Sequence, residues 1–343
     1  MSTTDVATES TPIATTEEDY GIEEGVPTTT ESTTDNNESE EVSDNNDKPP
    51  INHKNYLNLI AYIANITLVY GIGNAGWLGT PDNGELSRKY QTLVTPNSSA
   101  FTIWAVIFLA QGAFALLQFL PVFRSSDMLQ QGVGYWYIAV AATQIGWTIS
   151  FAYEVIPLSL AFMLLIWISL IGLLYKQYYT ESTGSIWEFW ALRFPFAVHA
   201  GWITAASALN VNVQVVSMNV TPDKQLAVAI ISLAVLHAIS VWVLFNIPRP
   251  NWSMACVLSW AFGWIYQELG EAGETIQSNF SPDTVSGVAY AAVAVCFIIL
   301  IQIVIRLGLI VIRPSSYNPY KNVTEEDTVD NDSAEQGQDD MKV

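Results

Sequence analysis

Eight apolar stretches, near residues 56–77, 100–121, 135–152, 156–176, 190–212, 225–247, 252–269 and 284–312, recur along the chain. Each approaches the ~20 residues that a helix needs to cross ~30 Å of hydrocarbon. Lipid offers no partner for backbone N–H and C=O groups, so a crossing segment must close its hydrogen bonds within itself. The expectation is an all-α membrane protein, a helical bundle of about eight transmembrane helices.

The formal charge of −20 belongs to the ends of the chain. Residues 1–50 hold 14 Asp/Glu and one Lys, residues 321–343 hold 8 Asp/Glu and two Lys, and the segment between them holds 11 acids against 10 bases. The N-terminal tail, with "TTTESTTDNNESEEVSDNND", has too few large apolar residues to offset the entropy of ordering and reads as disordered. It shows neither the basic and apolar regions of a secretory signal nor the Arg-rich composition of a transit peptide. The first apolar stretch, "YLNLIAYIANITLVYGIGNAGW", is therefore expected to insert the chain and to remain in the product. Across eight spans, Lys48, Lys54, Arg124, Lys176, Arg249, Arg313 and Lys321 fall on the side of the termini, against Arg88, Lys89 and Lys224 opposite. That bias places the tails in the cytoplasm; it does not identify the membrane.

Polar and aromatic residues within the spans are not scattered. At about 100° per residue, Pro195, His199, Trp202, Ala206 and Asn210 fall within about 80° of one another around the fifth helix. Phe101, Trp104, Phe108, Gln111 and Ala115 form a similar stripe on the second, and Gln144, Trp147, Thr148 and Phe151 on the third. Polar groups facing lipid are costly, so the stripes should point into the bundle. Two readings follow. Small residues and amides could simply glue helices together, or the rings could wall an apolar cavity whose amides orient a guest. Trp104, Trp147, Trp167, Trp202 and Trp242 lie inside their spans, which is more than interfacial belts require.

Other residues have simpler expectations. Arg193, near the start of the fifth span, can snorkel to the headgroups. Glu154 falls in a tight connection open to water, and Glu268, Glu271 and Glu274 read as a solvated acidic face ending the seventh span. His199 and His237 read as hydrogen-bonding residues rather than haem ligands, and Cys256 and Cys296 as small apolar fillers. The "GIGNAG" at 71–76 lacks the strand–turn–helix context of a nucleotide site and reads as close helix packing. A Val311, Tyr317, Lys321 spacing fits a loose cholesterol pattern that is too common to carry weight. No phosphate loop, zinc motif or nucleophile elbow is present, so no catalytic residue and no metal ligand is assigned.

Three segments in order, "GELSRKYQTLVTPNSSAFTIWAVIF" at 84–108, "GYWYIAVAATQIGWTISFAYEVIPLSLAFMLL" at 134–165 and "RFPFAVHAGWITAASALNVN" at 193–212, resemble the TspO/MBR family of tryptophan-rich sensory or translocator proteins, in particular its longer members. The resemblance covers about residues 56–215. It implies a five-helix core that binds flat hydrophobic molecules such as porphyrins, with sterols bound by some members. Matched position by position, Pro96, Phe101 and Trp104 stand for the loop into helix two, Trp147 for the Trp of helix three, and Trp202 with Asn210 for the Trp and Asn of helix five. Ser99 and His199 depart from the family's aromatic residues at places that would touch a ligand.

The expected organisation is then a disordered tail (1–50), a TspO-like core (51–215), three additional transmembrane helices (216–313) and a second acidic tail (314–343). The expected function is that of a non-enzymatic membrane receptor or carrier for a porphyrin-like or sterol-like ligand. A solute transporter and a tetrapyrrole-degrading enzyme are the alternatives. The ligand-binding set is Phe101, Trp104, Phe108, Gln111, Gln144, Trp147, Phe151, Arg193, His199, Trp202 and Asn210, with porphyrin as a ligand and no firm cofactor. Expected partners are the lipid bilayer and a hydrophobic small molecule, not nucleic acid; a homo-oligomer is left open.

Overall fold

The computed structural model describes residues 50–312. Both acidic tails, and with them Tyr317 and Lys321, lie outside these residues.

Local chemistry sets the helix ends. The Asn52 side chain accepts from the Lys54 N–H and Asn55 returns a bond to the Asn52 N–H, starting α1 (His53–Gly73). Asp82 and Glu85 cap α2 (Asn83–Lys89) in the same reciprocal way. A 3-10 turn, Ser98–Thr102, runs into α3 (Ile103–Leu117). Between α4 (Trp136–Ala152) and α5 (Ile156–Tyr179) the chain reverses through Glu154 at φ 56°. Pro157 follows in the first turn of α5, where its missing N–H costs nothing. The short α6 (Ile186–Glu188) leads into α7 (Phe194–Ser217), which has Pro195 in its own first turn. Then come α8 (Pro222–Val241), α9 (Trp252–Gly270), α10 (Glu274–Asn279) and α11 (Pro282–Ile312).

Eight long helices thus occupy the eight apolar stretches. Among the described residues five helical segments are long and apolar enough to cross a membrane: His53–Gly73, Ser98–Leu117, Ile156–Tyr179, Pro222–Asn246 and Pro282–Ile312. The remaining three positions hold α4, α7 and α9. α4 has 17 residues. α7 has 24, but Thr204, Ser207, Asn210 and Asn212 dilute its hydropathy. The reason is its place in the fold: every residue from Pro195 to Thr204 is buried, so this helix meets protein all round and has no lipid face to satisfy.

Helix neighbours form a closed ring, α1 to α3 to α7 to α5 to α4 and back to α1. One core fills the ring, with Phe114, Tyr137, Phe196, Leu170 and Trp202 among its members. A second core joins α8, α9 and α11 to the 93–94 loop, and α7 belongs to the boundary, packing on α8 and α9 from outside the ring. There Gly201 permits close approach: a Cβ would lie 2.9 Å from Val257 Cβ and 3.1 Å from the Met254 Cα. α11 turns Phe297, Ile301, Val304 and Val311 outward, as a lipid-facing helix does.

Two expectations need correction. The glycines of "GIGNAG" do not sit between two long helices; Gly71 makes room for the Trp77 ring in the connection that follows α1, and Gly73 for the side chain of Asn83, the first residue of the short α2. Trp242 is not an interior residue. It is 59% exposed on the outer face of the bundle, because a mid-span position does not fix which way a helical side chain points.

Candidate functional site

Side chains of α3 and α7 meet inside the ring. The Phe101 ring lies edge-on to Trp202 at 5.5 Å, and Trp104 lies edge-on to both His199 (5.6 Å) and Trp202 (6.4 Å). Trp104 also stacks on Phe108 at 5.4 Å, a one-turn spacing that puts both rings on one helix face. Edge-to-face contacts of this kind suit the quadrupoles of the rings and fix their orientation.

Below the rings the amides form a chain of bonds. Tyr137 of α4 donates to Gln111 Oε1 (3.3 Å), which turns Gln111 Nε2 toward His199 Nδ1 at 2.9 Å. His199 Nδ1 is then the acceptor and Nε2 carries the proton, but His199 Nε2 is buried with no partner in the protein. A second pair shows the same shortfall: Asn65 Nδ2 donates to Gln144 Oε1 (3.3 Å), while Asn65 Oδ1 and Gln144 Nε2 stay buried and unmatched. Trp147 Nε1 donates to Asn210 Oδ1 (3.1 Å), Asn210 Nδ2 donates to the Ala206 carbonyl (2.9 Å), and Trp147 stacks on Phe151 at 5.2 Å.

A buried loop closes this end of the ring. Residues 91–96, "QTLVTP", are all buried, and Thr92 and Thr95 satisfy the loop's own N–H groups. Its ends are tied to α9. Glu268 accepts from Gln91 Nε2 (2.8 Å) and Asn97 Nδ2 (3.1 Å), the Asn97 N–H donates to the Trp264 carbonyl (3.0 Å), and Trp260 Nε1 donates to the Ala100 carbonyl (3.2 Å). The space left beside Trp202, Pro96, Ala206 and Ala261 is only about 10 Å³, room for roughly one water molecule. That space lies on the α8 and α9 side of α7, with Leu236 and Ile265 also in its lining, whereas Phe101, Trp104, Phe108, His199 and Trp202 touch one another on the ring side.

A family model described as TSPO-like protein matches residues 55–305. The chain belongs to the TSPO-like family. No curated protein and no solved structure matches it. The TSPO-like match runs from the first turn of α1 into the last turns of α11, so it takes in α8, α9 and α11 as well as the five-helix ring. Together with the apolar helices, it makes the chain a membrane protein of the TspO type.

The ring brings together most of the residues singled out by their stripes. Phe101, Trp104, Phe108, Gln111, His199 and Trp202 form one group, Trp147, Phe151 and Asn210 form a second, and Gln144 pairs with Asn65 of α1. Arg193 stands apart. It precedes Trp202 by nine residues, about 13 Å along a helix, and donates to Glu188 Oε1 at 3.2 Å. Burial opposes ionisation of Glu188, yet bonds from Ser182 and Thr183 and the Arg193 charge hold its carboxyl below the usual range. Arg193 Nε thus anchors the loop that enters α7, while its Nη2 is buried with no protein partner.

Glu268 corrects the reading of a solvated acidic face. Glu271 and Glu274 are exposed as expected, but Glu268 holds the 91–97 loop. A signal for this was present: Trp260, Trp264 and Glu268 recur every four residues and so share one face of α9. Glu154, expected in water, pairs with Lys89 and accepts from Tyr90 (2.7 Å), fixing the α4–α5 turn to the end of α2. The bonds from Lys89 and Tyr90 hold its carboxyl below the usual range.

Proposed function

We propose that the protein is a multi-pass membrane receptor or carrier that takes a flat hydrophobic ligand, a porphyrin or a sterol, between α3, α4 and α7, with its tails in the cytoplasm. The observation that carries this reading is the convergence of Phe101, Trp104 and Trp202 on one interior face beside His199 Nε2, a buried donor with no protein partner. Helix packing alone would explain the rings. It leaves His199 Nε2 without an acceptor, and an unmatched buried donor costs about 1–3 kcal/mol. A porphyrin would satisfy both features, stacking its π-face on indole and accepting from imidazole through a carboxylate, while a sterol would offer apolar contact to the rings and its hydroxyl oxygen to the imidazole.

Entry requires the site to open. Phe101, Trp104, His199 and Trp202 are in mutual contact, so to admit a tetrapyrrole or a sterol the rings must part or the 91–97 loop must lift from α9. Binding of this kind selects an open state, and the apparent affinity falls with the fraction of molecules in it.

Quenching of Trp fluorescence in purified protein by added protoporphyrin tests the reading. Trp202→Ala and Trp147→Ala, each checked for native helicity, are expected to weaken binding at least tenfold, about 1.4 kcal/mol. Unchanged affinity in both variants removes the proposed site.

A further inference from the structure

We infer that a second site, at the end of the bundle where α1 begins and α5 ends, holds the phosphate-bearing headgroup of an anionic membrane lipid. A cleft of about 640 Å³ opens there, lined by Lys54, Lys176, Gln130, Tyr135, Trp136 and Tyr179 among others. It is remote from the aromatic cluster: α1 starts and α5 ends at the cleft, whereas the 91–97 loop closes the far end of the ring.

Four observations point to a phosphate. Among the described residues no Asp or Glu lines the cleft and neither lysine pairs with a carboxylate. Lys54 is held in place, because its Nζ donates to the Gln130 carbonyl at 2.7 Å and lies 5.0 Å from the centre of the Tyr135 ring. An ammonium has three N–H donors, so two remain for another acceptor. Lys176, in the last turn of α5, lines the same cleft, so two basic residues border one space.

The setting selects a lipid as the source of that phosphate. His53–Gly73 and Ile156–Tyr179 are both membrane-spanning in length and composition, and the cleft lies where the first begins and the second ends. That is the depth of the headgroups, where Tyr and Trp are enriched and lysine heads leave the hydrocarbon. Two cations with no acid between them favour a headgroup of net negative charge over a zwitterion, whose own cation they would repel.

Native mass spectrometry of the full-length, delipidated protein with added dioleoylphosphatidic acid, dioleoylphosphatidylcholine or inorganic phosphate tests the inference. Phosphatidic acid is expected to stay bound at least tenfold more tightly than phosphatidylcholine. Lys176→Gln, at an exposed position that folding does not need, is expected to reduce that preference at least fivefold, and Lys176→Arg to retain it. Lys224→Gln, at the opposite end of the bundle, is expected to change nothing. Equal retention of the two lipids, or full phosphatidic acid binding by Lys176→Gln, would overturn the site. Inorganic phosphate competing as well as the lipid would assign the cleft to a soluble phosphate and overturn the headgroup.

Discussion

Replacing Glu268 by alanine removes the one side chain that ties both ends of the buried 91–97 loop to α9. The carboxylate accepts from Gln91 and from Asn97, and a bond to a charged acceptor contributes about 1.5–3 kcal/mol. Asn97 is half-buried and can turn to water once released, whereas Gln91 is buried and cannot. The net loss is therefore nearer one such bond than two, about 2 kcal/mol. The Asn97 N–H to Trp264 carbonyl bond stays, so the loop loosens without detaching. Local opening that is easier by this amount speeds amide exchange about 30-fold. Hydrogen–deuterium exchange on the purified protein should show this acceleration in peptides covering 91–97, with α5 unchanged as an internal reference. Glu268→Gln keeps one acceptor and should fall between wild type and alanine. If the loop is also the ligand's way in, protoporphyrin quenching should proceed faster in the alanine variant. Unchanged exchange across 91–97 would refute the argument, because it would mean that burial alone holds the loop.

Gly201→Ala should lower the unfolding temperature measurably, since the new methyl meets the α9 backbone at Met254 and overpacking of this kind costs about 1–3 kcal/mol. Gly263→Ala is the matched control, because its Cβ would meet only Cys296 Sγ at 3.8 Å. Glu154 gives a pH dependence of definite sign. Its folded carboxyl is held below the usual value of 4.5, so its contribution is complete above that pH and fades as acid titrates the folded form. Thermal melts from pH 7 to pH 3 should show an acid-side decline that is shallower in Glu154→Gln; identical profiles would dismiss the Lys89 and Tyr90 contacts as inconsequential. Trp147→Phe keeps the ring that stacks on Phe151 but strands Asn210 Oδ1. It should destabilise by about 1 kcal/mol while weakening porphyrin binding less than Trp147→Ala.

Membrane residence, helical class and the positions of the long helices were legible in the order of residues alone. Apolar runs of near-spanning length leave the backbone no other way to satisfy its hydrogen bonds, and helical periodicity aligned Phe101, Trp104, Phe108 and Gln111 before any partner was known. Periodicity also assigned His199, Trp202 and Asn210 to a common face. What it could not supply was the partner of each face, because a stripe on one helix is silent about which neighbour meets it. Only the packed ring set Trp104 against His199 and Trp202, linked Tyr137 through Gln111 to His199, and joined Trp147 to Asn210. The same limit explains the corrections. Trp242 has a mid-span position and an outward direction, and Glu268 reaches a loop more than 170 positions earlier in the chain. Short-range chemistry settles where helices start, stop and carry their polar residues. Contacts distant in sequence arise only when the chain closes on itself, and they decided which of those residues face one another.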